Sequence, residues 1–162
     1  MTYEPTELES RAKRDWQGAF DALNTPKQIA IIGHARPDGD AMGSTLALNN
    51  HLSQMGHHCQ VLYPDPWPDY NAWMPGISSA VVYSEDRERA DKIIAAADWI
   101  FCLDFGSLSR IEDLQPVVEA QRGRAKLANL DHHADNEPFA DYEFCEVAAS
   151  STCELVYRLL SV

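Results

Sequence analysis

Short apolar runs alternate along this chain with segments whose apolar residues recur at helical spacing. The run QIAIIGH at 28–34 comes first, and a helical segment from Ala41 to Met55 follows it. The alternation continues through the runs HCQVLY, SAVVYS, DWIFCLDFG, AKLANLDHH and DYEFCEV, with helical segments over 85–97, over 112–121 and after SSTCE. Strands that alternate with helices are typical of a mainly parallel sheet. We therefore predict an α/β, Rossmann-like fold with helices on both faces of the sheet.

Length and composition fit one domain. A chain of 162 residues with 45% apolar residues can bury a stable core without disulfide bonds or a structural metal ion. We expect residues 1–162 to form a single domain that opens with a helical segment over 1–26, because apolar residues recur at near-helical spacing from Leu8 to Leu23. The four cysteines form no C-x-x-C pair, and we expect buried, reduced thiols.

Composition also limits location and partners. The sequence has no apolar run of about 18 residues, and its N-terminus lacks the basic-then-apolar order of a signal peptide. We therefore expect a cytoplasmic protein without a membrane partner. The formal net charge of −12 argues against binding to long nucleic acid, which is driven by basic surface. A small phosphorylated substrate stays compatible with this charge if metal ions supply positive charge locally.

Carboxylates and imidazoles follow three of the apolar runs, at the point where each run ends. The segments IIGHARPDGD, FCLDFG and ANLDHH each place them at a turn. The carboxyl ends of parallel strands share one edge of a sheet, and ligands bind in the crevice outside it. We therefore expect the following side chains to converge: His34, Asp38, Asp40, Asp104, Asp131, His132 and His133.

Each cluster also has a simpler structural explanation. Asp40 could cap the helix that begins near Ala41, and Asp104 could be a turn-forming residue after its strand. Two adjacent histidines, His132 and His133, are costly to bury unless they are paired or metal-bound, and a satisfied hydrogen-bond network is the alternative. The convergence of three clusters favours metal binding.

The donor types indicate which metal would bind. Aspartate oxygens and imidazole nitrogens without a thiolate suit Mn²⁺, Mg²⁺ or Fe²⁺ better than a structural zinc site. About five ligands exceed the protein share of most single-metal catalytic centres. Two ions roughly 3.5–4 Å apart that share a carboxylate would use them all, and such pairs catalyse phosphate-ester hydrolysis.

Three ordered motifs carry a family resemblance. GHARPDGDAMGS at 33–44, LDFGSLSRI at 103–111 and the triplet Asp131-His132-His133 resemble the motifs of the DHH phosphoesterase superfamily. The first motif is similar to that of the RecJ-like, NrnA-type branch, which comprises oligoribonucleases and 3′-phosphoadenosine 5′-phosphate phosphatases. The segments YPDPWPDYNAWMPG and AASSTCELVYRLL are also similar in pattern, so the resemblance covers about residues 28–160.

The resemblance implies a metal ligand at five positions. His34 and Asp38 would bind one Mn²⁺, with Mg²⁺ or Fe²⁺ as other candidates. Asp40 and His132 would bind a second ion. Asp104 would bridge the two ions.

The resemblance also implies roles for the remaining motif residues. His133 would face the scissile phosphate, and Asp131 would orient the neighbouring histidine. Arg110 would contact a substrate phosphate, with a solvated helix position as the alternative.

The implied function is metal-dependent phosphoester hydrolysis. The substrates would be short oligonucleotides, cleaved by 3′-5′ exonuclease action on nano-RNA, and 3′-phosphoadenosine 5′-phosphate, attacked by a water that two metals activate. Within the superfamily, a cyclic-dinucleotide phosphodiesterase or a pyrophosphatase is the alternative. From a different class, a non-catalytic nucleotide-binding or oligomerising module is the alternative.

Two family features have no counterpart in the sequence. Family members carry a further metal-binding aspartate in a fourth motif and a second domain, DHHA1, which helps to grip the substrate. We therefore expect the chain to be the N-terminal domain of a longer protein, as a fragment or a shortened form. A homodimer is compatible with the resemblance.

Overall fold

A parallel sheet with helices on both faces organises the chain, for which the computed structural model describes residues 17–161. Within that range the sheet has six strands in the order β3-β2-β1-β4-β5-β6, and all neighbours pair in parallel. The strands are β1 (Gln28–Gly33), β2 (His58–Tyr63), β3 (Val81–Val82), β4 (Trp99–Leu103), β5 (Lys126–Asp131) and β6 (Tyr142–Cys145). The predicted α/β fold is confirmed.

The strand order reverses between β1 and β4. From β1 the chain proceeds through β2 and β3 on one side of the sheet, then through β4, β5 and β6 on the other. Doubly wound nucleotide-binding sheets have this order, and their ligands bind in the crevice at the point of reversal. The loops after β1 and β4 flank that point.

Helices lie between or after the strands. Residues 17–22 are helical and belong to the predicted N-terminal helix, whose earlier residues lie outside the described range. The other α-helices of the described chain are α1 (Gly39–Gln54), α2 (Arg87–Ala96), α3 (Gln115–Glu119) and α4 (Thr152–Leu160). No helix among residues 17–161 is both long and apolar enough to cross a bilayer.

The helix predicted over 112–121 is divided in two. A 3₁₀ segment covers Leu108–Leu114, and α3 begins at Gln115. Glu112 interrupts the helical geometry with a φ of 47°, and Pro116 lies in the first turn of α3, where its missing N–H costs nothing. The run SAVVYS likewise forms a strand only over Val81–Val82.

Alternate residues of the central strands face two apolar layers. Ile31 and Phe101 pack in the layer that α1 and α4 cover. Ile32 and Ile100 pack in the layer that α2 and the 3₁₀ segment cover. Strands β1, β4 and β5 are apolar almost throughout because both of their faces are buried.

The cysteines differ in burial. All four are free thiols. Cys102 is fully buried within β4, and burial raises the pKa of its thiol, which keeps it protonated. Cys145 is exposed, so the expectation of a buried thiol is wrong there. Strand β6 lies at the edge of the sheet, and this position explains the exposure.

Asp86→Ala is expected to lower the free energy of unfolding by about 1 kcal/mol. Asp86 is the N-cap of α2, and its carboxylate accepts a hydrogen bond of 3.2 Å from the backbone N–H of Arg89. Urea unfolding measures the loss. Glu85→Ala removes the adjacent exposed carboxylate and is the control; equal losses in the two variants would contradict the capping role.

Candidate metal centre

The strand register brings the three polar clusters to one edge of the sheet. Gly33 at the end of β1 pairs with Leu103 at the end of β4, and Leu103 pairs with Leu130 of β5. His34 and Asp104 follow these ends directly, as sequence reasoning predicted. The clusters therefore surround the point where the strand order reverses.

Asp104 is shared by two groups of potential ligands. Its Oδ2 lies 3.5 Å from His34 Nε2, which is 3.8 Å from Asp38 Oδ1. Its Oδ1 lies 3.7 Å from His132 Nε2 and 3.9 Å from His133 Nδ1. Within each group the ligand atoms are at most 4.8 Å apart, a spacing that one metal ion can span. The two oxygens of one carboxylate thus face two different clusters.

The turn after β4 holds Asp104 in an uncommon backbone conformation. Its φ is 69°, in the left-handed region that aspartate tolerates better than most residues. Its N–H donates to the carbonyl oxygen of Leu130 at 2.9 Å, and its side chain is 2% exposed. Arg36, in the loop after β1, and Glu112, in the 3₁₀ segment, also have positive φ values. Strained backbone often marks functional sites.

Asp38, rather than Asp40, caps α1. Asp38 Oδ1 accepts hydrogen bonds of 3.0 Å from the N–H groups of Asp40 and Ala41. The two oxygens of Asp40 instead accept bonds of 2.8 Å from the N–H groups of Thr152 and Cys153 at the start of α4. The capping alternative for Asp40 is therefore wrong. Its Oδ2 also lies 3.4 Å from Nε2 of His132.

The histidine rings are oriented by hydrogen bonds at Nδ1. His34 Nδ1 donates to the carbonyl oxygen of Ala35 at 2.7 Å, so Nε2 presents a lone pair to the carboxylates when the ring is neutral. His133 Nδ1 is 2.6 Å from Asp131 Oδ1. Asp131 thus orients His133, while its Oδ2 accepts from Asn136 at 3.3 Å.

The clustered acids alter the pKa values of the centre. Burial raises the pKa of Asp104, the charge of Asp40 raises it further, and the hydrogen bond from His34 offsets part of the rise. Burial alone would lower the pKa of His34, but its hydrogen bond to Asp104 raises it above the usual value. Burial likewise opposes ionisation of Asp40, yet hydrogen bonds from Cys153 and Thr152 lower its pKa. A cation would relieve the repulsion among these acids.

Two arginines lie in segments next to the centre. Arg110 lies exposed in the 3₁₀ segment, and its carbonyl oxygen accepts from the N–H of Ala35 at 2.9 Å. Its role in phosphate contact stays a prediction. Arg36, which sequence reasoning missed, has its N–H bonded to Asp65 Oδ2 at 3.1 Å and its guanidinium bonded to Glu112 at 2.9 Å.

Sequence reasoning did not predict two other contacts of the site. The Thr152 hydroxyl donates to Asp104 Oδ1 at 2.8 Å, although SSTCE was interpreted only as a helix start. Asn136 contacts Asp131 and stands three residues after the triplet, where its position in DHHADN was a usable local signal.

A separate cavity of about 850 Å³ lies at the opposite edge of the sheet. It is bounded by the start of β1, the start of β2 and one side of α2, including His57, His58 and Lys92. It contains no residue of the converging clusters. The clustered carboxylates and imidazoles therefore favour the carboxyl edge over this cavity as the functional site.

The family follows from comparison with known proteins. Residues 28–161 match the DHH family, N-terminal domain. The chain belongs to the DHH family. It is 30% identical over 134 residues to the "Bifunctional oligoribonuclease and PAP phosphatase NrnA" of Bacillus subtilis (strain 168), which covers 81% of this chain and 37% of that protein. The predicted resemblance to the NrnA-type branch is confirmed.

A solved structure supports the fold assignment. The crystal structure of an exopolyphosphatase-related protein from Bacteroides fragilis matches with a TM-score of 0.88 at 35% identity. The match covers 92% of this chain and 43% of that chain. The DHH domain described here thus spans less than half the length of either relative.

The donor set fits a divalent cation. Imidazole nitrogens and carboxylate oxygens line both groups around Asp104, without a thiolate in either. Such mixed donors suit Mn²⁺, Mg²⁺ or Fe²⁺. The DHH motifs therefore form acidic and histidine groups that could hold metal, and the ion's identity stays a prediction.

Proposed function

We propose that this chain is the DHH domain of a phosphoesterase that uses two divalent cations, Mn²⁺ by preference. The observation that carries the proposal is the shared carboxylate of Asp104, whose two oxygens face separate ligand groups 3.5–3.9 Å away. A bridging carboxylate of this kind is a recurrent feature of two-metal hydrolytic sites. His34 and Asp38 complete one group, and His132 belongs to the other.

Asp40 and His133 divide the remaining roles. Asp40 Oδ2 lies 3.4 Å from His132 Nε2, so it can serve the same ion as His132. His133 has its Nδ1 bonded to Asp131 at 2.6 Å, which leaves Nε2 as the nitrogen for a substrate phosphate. Its side chain is 50% exposed, as a residue that contacts substrate must be. The bound cations would neutralise charge on the phosphoryl group and lower the pKa of a nucleophilic water.

Short oligonucleotides and 3′-phosphoadenosine 5′-phosphate are the proposed substrates. The curated relative, described as an oligoribonuclease and PAP phosphatase, supports this substrate class. The net charge of −12 disfavours long nucleic acid, whereas a small substrate can be held largely through the cations. Arg110 and Arg36 at the rim would add phosphate contacts.

Phosphoanhydride hydrolysis is the second candidate. The solved neighbour is described as exopolyphosphatase-related, and the same ligand set would serve a pyrophosphate or polyphosphate. In either case we propose that residues 1–162 form one DHH domain and that the whole protein adds a DHHA1 domain. Cytoplasmic location and a homodimer also stay predictions.

Titration with Mn²⁺ tests the proposal. Isothermal calorimetry is expected to detect two ions per chain, because Asp104 can contribute one oxygen to each. Hydrolysis of a dinucleotide, phosphoadenosine phosphate, a cyclic dinucleotide and pyrophosphate is then compared at saturating Mn²⁺. Preference for the first two substrates supports the leading assignment, and preference for pyrophosphate supports the second candidate.

A protein that binds no Mn²⁺ and hydrolyses none of these substrates would contradict both enzymatic candidates. It would favour the non-catalytic nucleotide-binding module. Calorimetry with Ca²⁺ is the control for nonspecific binding of divalent cations to an acidic surface.

A further inference from the structure

The N-terminus of α4 contacts two carboxylates of the centre. The Thr152 hydroxyl donates to Asp104 Oδ1, and the Thr152 N–H donates to Asp40 Oδ2, both at 2.8 Å. The Cys153 N–H donates to Asp40 Oδ1 at the same distance. These contacts join α4 to the first turn of α1 and to the turn after β4, both of which lie far from it in sequence.

Capping of α4 does not explain the Thr152 hydroxyl. Ser151 is the N-cap, and its side chain accepts the N–H of Glu154 at 3.0 Å. Glu154 in turn accepts from the N–H and hydroxyl of Ser150, both at 2.7 Å. The local geometry of the helix start is thus satisfied without the hydroxyl of Thr152. That residue is nevertheless fully buried, and its hydroxyl faces Asp104.

The Thr152 hydroxyl can fix the orientation of the Asp104 carboxylate. A carboxylate rotates easily about its terminal bond, because that torsion has broad minima. The hydroxyl fixes Oδ1 on the side of His132 and thereby leaves Oδ2 on the other side, 3.5 Å from His34 Nε2. Each oxygen keeps a second lone pair for a metal ion.

We propose that Thr152 is a positioning residue that holds Asp104 in the orientation in which it bridges two cations. The inference rests on the proposed function and extends it to a residue outside the ligand set. Groups that hydrogen-bond to metal ligands typically change metal affinity by about 10–100-fold when they are removed. The effect is larger for the ion on the Oδ1 side, because the hydroxyl contacts that oxygen.

Thr152→Val is the direct test, since it removes the hydroxyl at nearly constant shape. We expect one of the two Mn²⁺ affinities to fall by about 10–100-fold in calorimetry and the other to change less. We also expect the electron paramagnetic resonance signal of a coupled Mn²⁺ pair to be lost or altered. Thr152→Ser keeps the hydroxyl and is expected to restore both. Loss of packing alone would weaken Thr152→Ser as well.

Thr45→Val is the matched control. Thr45 is also fully buried, and its hydroxyl donates to the Ala41 carbonyl at 2.7 Å and contacts the Tyr63 hydroxyl at 2.6 Å. This variant removes a buried hydroxyl that does not touch the centre, so it is expected to lower stability but keep both Mn²⁺ affinities. If Thr152→Val fails to fold, Thr152→Ala takes its place with the same expected losses.

The possible outcomes distinguish the positioning role of Thr152 from the proposed two-cation function on which it rests. Two Mn²⁺ ions in the unsubstituted chain and an unchanged affinity and spectrum in Thr152→Val would overturn the inference alone. An unsubstituted chain that binds no Mn²⁺ would overturn the proposed function and the inference together. Equal losses in Thr152→Val and Thr152→Ser would also overturn the positioning role.

Discussion

Asp104→Asn is expected to lower the affinity for both Mn²⁺ ions by more than about 100-fold, beyond the range typical of groups that only support a ligand. The substitution preserves shape and leaves Oδ1 able to accept from the Thr152 hydroxyl. It removes the charge that both ligand groups share, so neither ion keeps its bridge. Calorimetric titration with Mn²⁺ measures the loss.

The same variant separates metal binding from stability. Burial raises the pKa of Asp104, and the charge of Asp40 adds to the rise, so the ionised carboxylate opposes folding at neutral pH when no cation is bound. The apo protein is therefore expected not to lose thermal stability. Asp98→Asn is the control: Asp98 is exposed directly before β4, and its carboxylate accepts from the N–H of Gln28 at 2.8 Å. Loss of one ion only in Asp104→Asn would contradict the bridging role.

Gly106→Val is expected to lower the free energy of unfolding by about 3 kcal/mol or more. A Cβ at Gly106 would lie 2.5 Å from the carbonyl oxygen of Asp135 and 3.0 Å from both Asn136 Cα and Asp131 Oδ2. The backbone of the loop after the triplet cannot move aside as a flexible side chain would. Urea unfolding measures the loss, and slower hydrolysis should accompany it because Asp131 orients His133, the proposed phosphate contact.

Gly39→Val supplies the control for that substitution. Gly39 begins α1, and a Cβ there would meet nothing within 4 Å. Its cost is expected to stay below about 1 kcal/mol, the range of helix propensity. A Gly106→Val protein as stable as Gly39→Val would show that the loops after β4 and β5 are not packed as described.

The convergence of the candidate site could be predicted because it depends on a rule of topology. Three local motifs follow apolar runs in the sequence. Because the carboxyl ends of parallel strands share one edge of the sheet, the polar side chains of these motifs were predicted to lie close together. His34 and Asp104 indeed lie 3.5 Å apart, although 70 positions separate them in the sequence. Their roles as ligands stay predictions that metal titration can test.

Contacts between distant segments could not be predicted in the same way. Ser151 and Glu154 explain the sequence SSTCE as a local helix start, so nothing in the pattern pointed Thr152 toward Asp104. The break at Glu112 was missed for a related reason, since helical spacing of apolar residues does not register a single residue with φ of 47°. Asp40 had the local pattern of a cap, yet it accepts hydrogen bonds from α4 instead of α1.

The hydrogen bond between Thr152 and Asp40 affects the order in which the protein folds. The centre draws on residues from His34 to Cys153, so these residues come together only after nearly the whole described chain has assembled. Contacts of such high sequence separation form late, because a long loop must close first. A nascent chain with α4 still undocked would contain His34, Asp38 and Asp104 but lack the hydrogen bonds from α4 to Asp40. Docking of α4 would then have to precede tight binding of a cation by Asp40 and His132.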